Sequence, residues 1–117
     1  MKPVQNQPWA IRSKVWLEFE GKPILGEGRM SILNAIHSHG SILQAAKITG
    51  VSYRRVRGAI RDMEHAVGRP LVESFRGGDQ GGGAKLTEAA HELMNSYKKI
   101  AHGVQEAMDY RFREIFR

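Results

Sequence analysis

Between Ser41 and Arg61 the chain reads SILQAAKITGVSYRRVRGAIR, a stretch that leaves little choice of local structure. Ser41 can cap a first helix whose apolar face is Ile42, Ala45, Ala46 and Ile48, and Gly50 stands where that helix must end with positive φ. Ser52 can cap the next helix. On it Val56, Ala59, Ile60, Met63 and Val67 recur at helical spacing and would face a core, while Arg54, Arg57 and Arg61 recur on the opposite face. Two short helices joined by a tight turn, the second of them basic, make a helix-turn-helix. The second helix of such a pair enters the DNA major groove, where an arginine can bond guanine O6 and N7 with two donors at once. A charged helical stripe is usually only a solvated face, but such faces mix signs. Residues 52–61 hold four arginines and no acid.

The distribution of charge points the same way. The net charge is +6; residues 1–14 contribute +3 and residues 52–85 the other +3, while the remaining segments are neutral. Positive charge concentrated in an arm and in the proposed reading unit is the footprint of a polyanion binder. A chain of 117 residues suits one domain with a modest core. It has no cysteine, which removes disulfides and thiolate metal sites, and no apolar run suited to a signal peptide or a membrane span, so a cytoplasmic protein is expected. His37 and His39 lie two apart on a helix and diverge, and His65, His91 and His102 show no ligand spacing, so no metal or other cofactor is assigned. No nucleophile, base and orienting acid assemble from a recognisable motif, and no enzyme activity is expected.

Along the chain, residues 1–13 read as a flexible basic arm. Residues 14–20, KVWLEFE, alternate as a strand; Gly21, Lys22 and Pro23 make a turn, and Ile24 and Leu25 pair back as a hairpin. Residues 29–39 form a helix with Met30, Leu33, Ala35 and Ile36 inward, closed by Gly40. After the basic helix, Gly68 and Pro70 stop helical structure. Strands at 71–75 and 84–86 then flank RGGDQGGGAK, residues 76–85, with five glycines in ten residues. The loop lacks the glycine-lysine-serine/threonine order of a nucleotide-phosphate loop, because Ala84 precedes Lys85 and Leu86 follows it. A flexible linker is one reading. The favoured one is a wing, completing a winged helix-turn-helix, whose bare backbone comes close to DNA with Arg76 and Lys85 on phosphates.

Thr87 caps a final helix from 88 to about 116. Its apolar track of Leu93, Tyr97, Ile100, Val104, Met108 and Phe112 is longer than one small domain needs, and a second copy of the chain is the economical partner. The alternative is a helix wholly absorbed by its own domain.

Three segments, GSILQAAKITGVSYRRVRGAI (40–60), PLVES (70–74) and the wing RGGDQGGGAKLT (76–87), resemble the N-terminal DNA-binding domain of the ModE molybdate-responsive regulators. VWLEFEGKPILGEGR (15–29) is similar to single-domain members of that group, so the likeness spans about residues 14–100. LysR-type regulators are a more distant resemblance, sharing the alanine-rich first helix but not the glycine-rich wing. The resemblance implies a winged-helix homodimer on an operator, with Ser52 and Tyr53 opening the reading helix. Arg57 stands where tryptophan is frequent, which alters the expected operator. The chain ends before the oxyanion-binding domains of full-length regulators, so no small-molecule ligand, molybdate included, is assigned to any residue.

The expected fold is mainly α with small β elements: an arm (1–13), a winged helix-turn-helix with an N-terminal β-hairpin (14–87), and a long C-terminal dimerisation helix (88–117). The expected function is sequence-specific binding of double-stranded DNA as a homodimeric transcriptional regulator, possible targets being molybdenum-related genes. Ser52, Tyr53, Arg54, Arg57, Gly58 and Arg61 would lie at the groove; Arg55, Arg76, Gly77, Gly78, Gly81, Gly82, Gly83 and Lys85 would meet phosphates. A protein-interaction module, or a direct regulatory subunit of molybdenum metabolism without DNA binding, are the alternatives.

Overall fold

A computed structural model of the chain describes residues 8–76 and 82–116. Elements follow in the order β1 (Leu17–Phe19), β2 (Lys22–Leu25), α1 (Glu27–His39), α2 (Ile42–Thr49), α3 (Tyr53–Val67), β3 (Val72–Phe75), β4 (Gly83–Leu86) and α4 (Glu88–Ile115). This is a mainly α, winged helix-turn-helix arrangement with two separate antiparallel hairpins.

The sequence expected a turn at 21–23 in the first hairpin. It lies one residue earlier: Phe19 pairs with Lys22, and Glu20 and Gly21 take φ of 52° and 81°. Positive φ at both central residues suits the right-handed twist of a two-residue hairpin, so Lys22 and Pro23 belong to β2. The caps follow expectation. The hydroxyls of Ser41, Ser52 and Thr87 accept from the backbone N–H of Gln44, Arg55 and Ala90, and Gly50 turns the chain between α2 and α3 with φ 71°.

Leu25, Leu33, Ile36, Val56, Met63 and Leu71 form the fully buried centre of the core. Met30, Ala35 and Ile36 point inward as their spacing implies, and Ile32 joins them. Ile48 does not belong to this face. It is 54% exposed, because α2 is only eight residues long and Ile48 lies well around the helix from Ile42, Ala45 and Ala46, which are buried.

Residues 8–13 carry no helix or strand, yet they are not a free arm. The Ser13 backbone N–H and hydroxyl donate to Gln105 Oε1 at 3.2 and 3.0 Å, and Gln105 Nε2 donates to the Ile11 carbonyl at 2.9 Å. Trp9 meets Phe116 edge-on at 5.3 Å. One flank of the second half of α4 is therefore covered by the chain's own N-terminal segment.

Candidate nucleic-acid interface

α3 starts at its Ser52 cap and buries Val56, Ala59, Ile60 and Met63. A helix period of 3.6 residues then puts Arg54, Gly58 and Arg61 along the line facing away from the core. Arg57, half-buried, sits on the shoulder toward the wing, where it lines a depression of about 250 Å³ with Ser41, Leu43, Tyr53, Phe75 and Gly82. Arg55 is on the other shoulder, in line with Asp62 two turns further along the helix. That acid is engaged elsewhere, since the Arg29 guanidinium reaches it at 3.1 Å. Among the described residues no ion pair or hydrogen bond occupies the guanidinium of Arg54, Arg55, Arg57 or Arg61. Four cations with no internal partner gain most from an external polyanion.

Four hydrogen bonds fix the wing to the rest of the domain, two of them to this helix. The Glu64 carboxylate accepts from the N–H groups of Leu71 and Val72, at 2.8 and 3.3 Å, and so ties the start of β3 to α3. The Ala84 N–H donates to the Gly40 carbonyl at 2.8 Å, and the Thr87 hydroxyl donates to the Pro70 carbonyl at 2.7 Å. Two wing glycines have a steric reason that base or phosphate contact does not supply. A Cβ on Gly83 would stand 2.6 Å from Phe75 Cζ, and one on Gly82 would stand 2.7 Å from the Phe75 carbonyl oxygen. Lys85 is exposed on β4 opposite Glu73, and Arg76 is exposed at the end of β3. Gly77, Gly78 and Gly81 lie outside the described residues.

Sequence reasoning missed Leu43 and Phe75, both more than half or about half exposed, which join Tyr53 around the depression. Their signal was available: Leu43 follows the capped first residue of α2 on the side away from Ile42, and Phe75 ends a strand whose alternation turns it outward. Apolar side chains there can meet thymine methyl groups.

α4 splits the expected dimer track in two. Tyr97 is 6% exposed and its hydroxyl donates to the Val15 carbonyl at 2.7 Å, so this residue is spent inside its own domain. Burial, with the Glu27 carboxylate as a second cause, pushes the phenol above its ordinary pKa and keeps it a donor. Leu93 is half-buried against the core, and Met108 and Phe112 are half-buried, lining a groove of about 380 Å³ with Ile11 and Phe116. Ile100 and Val104 remain 47% and 37% exposed. Among the described residues no helix is long and apolar enough to cross a membrane, and no group of three histidine or carboxylate side chains is placed to hold a metal ion.

A family model of bacterial regulatory helix-turn-helix proteins, lysR family, matches residues 28–105. The chain belongs to that family. Its DNA-binding unit is the winged helix-turn-helix described above. Among curated relatives it is 38% identical over 93 residues to the DNA-binding transcriptional dual regulator ModE of Escherichia coli, covering 80% of this chain and 36% of that one. It is 36% identical over 85 residues to the molybdenum transport protein ModE of Azotobacter vinelandii, covering 73% and 32%. The chain thus spans about a third of the length of the relatives it matches. Among solved structures, the crystal structure of a CbnR_DBD-DNA complex aligns with a TM-score of 0.54 at 25% identity, over 76% of this chain and 95% of that one. The full-length LysG regulator of Corynebacterium glutamicum aligns with a TM-score of 0.51 at 27% identity, over 74% and 29%. The ModE likeness and the LysR fold are two views of one LysR-family DNA-binding unit.

Proposed function

We propose that this LysR-family chain binds double-stranded DNA sequence-specifically as a homodimeric transcriptional regulator, with molybdenum-related genes as its targets. The observation that carries the reading is the set of four guanidinium groups on α3 that have no internal partner among the described residues, held beside a wing whose base is bonded to the same helix. The gene class rests on the ModE relatives. Selection of duplexes from a random pool, followed by sequencing, tests it: an inverted repeat with two half-sites supports a symmetric reader, and no enrichment refutes DNA recognition.

Within the half-site the arginines divide by position. Arg54 and Arg57 stand on the first turns of α3 and are assigned to base edges, whereas Arg76 and Lys85 at the wing base are assigned to phosphates. Replacing Arg54 or Arg57 by alanine should cost about 1–3 kcal/mol on the selected site and relax preference at one position per half-site. Replacing Arg76 or Lys85 should weaken selected and random duplexes alike. Equal behaviour of the two sets in filter or anisotropy titrations would refute the division.

Gly58 gives a prediction with opposite signs for stability and binding. It lies mid-helix, and a Cβ there would meet nothing within 4 Å. Gly58→Ala should therefore stabilise the free protein by roughly 0.5–1 kcal/mol. It should weaken DNA binding, since the space it fills is where the groove floor approaches. A raised melting temperature with unchanged affinity would place Gly58 away from the DNA.

A further inference from the structure

Outside the α3 face, the fold brings together a basic cluster from stretches far apart in sequence. His37 of α1, Lys85 of β4 and His91 of α4 line a single recess of about 240 Å³, with Ile36, Ala84 and Leu86 as its apolar wall. The two imidazole rings meet edge to face, centroids 5.0 Å apart and planes at 85°. His37 is exposed and His91 half-buried, so solvent protons and a ligand both reach them. The recess flanks the wing: Gly40, three residues after His37, accepts from the Ala84 N–H, and His91 lies one helical turn after the Thr87 cap. Ala84 lines both this recess and the depression beside Arg57.

We propose that the recess is a phosphate site, occupied in the complex by one backbone phosphate of the DNA flanking the half-site, with His37 and His91 taking up protons as it fills. Imidazole is the side chain whose charge changes between about pH 5 and 8. In the free protein, two imidazolium rings in contact would repel each other and the Lys85 ammonium. An anion lodged among the three reverses that balance, so proton uptake and phosphate binding each favour the other.

The surrounding charges fit an anion. On α1 the C-terminal end of the helix dipole favours a cation at His37, and His39 diverges onto another face. On β4 the one charged wall residue is Lys85, whose cross-strand partner on β3 is Glu73. On α4 Glu88 precedes His91 by less than a turn, and Glu92 is engaged by Arg69 at 3.4 Å. No carboxylate lines the recess itself, and a lysine does, which is the wrong charge for a divalent metal ion.

The proposal rests on the DNA-binding reading, and the test separates the two. Affinity for the selected duplex is measured by fluorescence anisotropy at about pH 6 and about pH 8, with ionic strength held by chloride and a chelator present. The quantity compared is the ratio of the two affinities in each protein. A group that binds protons more tightly in the complex adds affinity that is full below its free pKa and lost as pH rises through its bound pKa. The wild-type chain should bind several-fold more tightly at the lower pH. The His37→Gln and His91→Gln double variant should lose most of that ratio. Should the double variant not fold by circular dichroism, the exposed-ring variant His37→Gln alone should lose about half of the logarithmic gain.

A gain that persists in these variants, carried by His39 or His65, overturns the proposal, as does a wild-type chain that binds equally at both pH values. A chain that binds no duplex even at the lower pH overturns the DNA reading itself. Histidine proton resonances distinguish the source of phosphate: His37 and His91 should shift on stoichiometric addition of the duplex. Saturation of the same shifts by inorganic phosphate alone would make the recess a free-oxyanion site and overturn the DNA contact.

Discussion

Raising salt from about 50 to 200 mM should weaken binding of the selected duplex by roughly a thousandfold. Arg55, Arg76 and Lys85 are assigned to the phosphates in each protomer, so a dimer neutralises about six, and a slope near −0.9 per phosphate gives a logarithmic slope of about −5. The structure sharpens which charges count. Arg12 and Lys14 belong to the segment held along the second half of α4, and Gln105, which holds it, is eighteen residues from the Thr87 cap. At 1.5 Å per residue that is roughly 27 Å from the wing base. Replacing Arg12 and Lys14 by alanine should leave the slope nearly unchanged, while replacing Arg76 and Lys85 should reduce it by about four for the dimer. Titrations across a salt series measure both, and a wild-type slope near zero would refute binding through phosphates.

Aspartate at Ile100 and Val104 together should yield a folded monomer whose operator affinity is lower by a hundredfold or more, on the order of 3 kcal/mol. These two side chains are exposed on α4, whereas Met108 and Phe112, one and two turns further along the same track, are half-buried beside the N-terminal segment. Substitution at 100 and 104 therefore leaves the domain's own core intact and removes only what a partner would cover. A two-fold mate along this stretch would set two reading helices about 34 Å apart, one turn of DNA, on an inverted repeat. Sedimentation of the wild-type chain and the variant decides the matter. A wild-type monomer at micromolar concentration would refute the homodimer, and a variant that stays dimeric would move the interface elsewhere.

Local signals made the reading unit legible. Ser41, Ser52 and Thr87 announce their helices because a side-chain oxygen must satisfy a free backbone N–H, and Gly50 announces the turn because positive φ is costly elsewhere. Periodicity found Val56, Ala59, Ile60 and Met63 for the same kind of reason. It failed at Ile48, where a helix of two turns has room for only three inward residues, and apolar character alone did not say which side Ile48 would take. It also counted Tyr97 toward a partner, since spacing places a residue on a stripe without saying what covers it. Contacts between distant segments left no trace at all. Nothing in the composition of residues 8–13 foretold that Gln105 would bind them, and nothing in His37 or His91 foretold that two helices would bring their rings together.

The wing's attachment has a consequence for the DNA rather than for the protein. Glu64 ties one strand of the hairpin to the reading helix, and Gly40 ties the other to the turn before α2. On the proposed reading, a probe in the major groove and a probe beside it are thus set at one fixed phase. Shifting the flanking sequence by a single base pair, about 3.4 Å of rise and a tenth of a turn, cannot be absorbed by the hairpin swinging independently. The duplex has to twist to meet both probes, and the sequences selected outside the contacted bases should be those that twist at least cost.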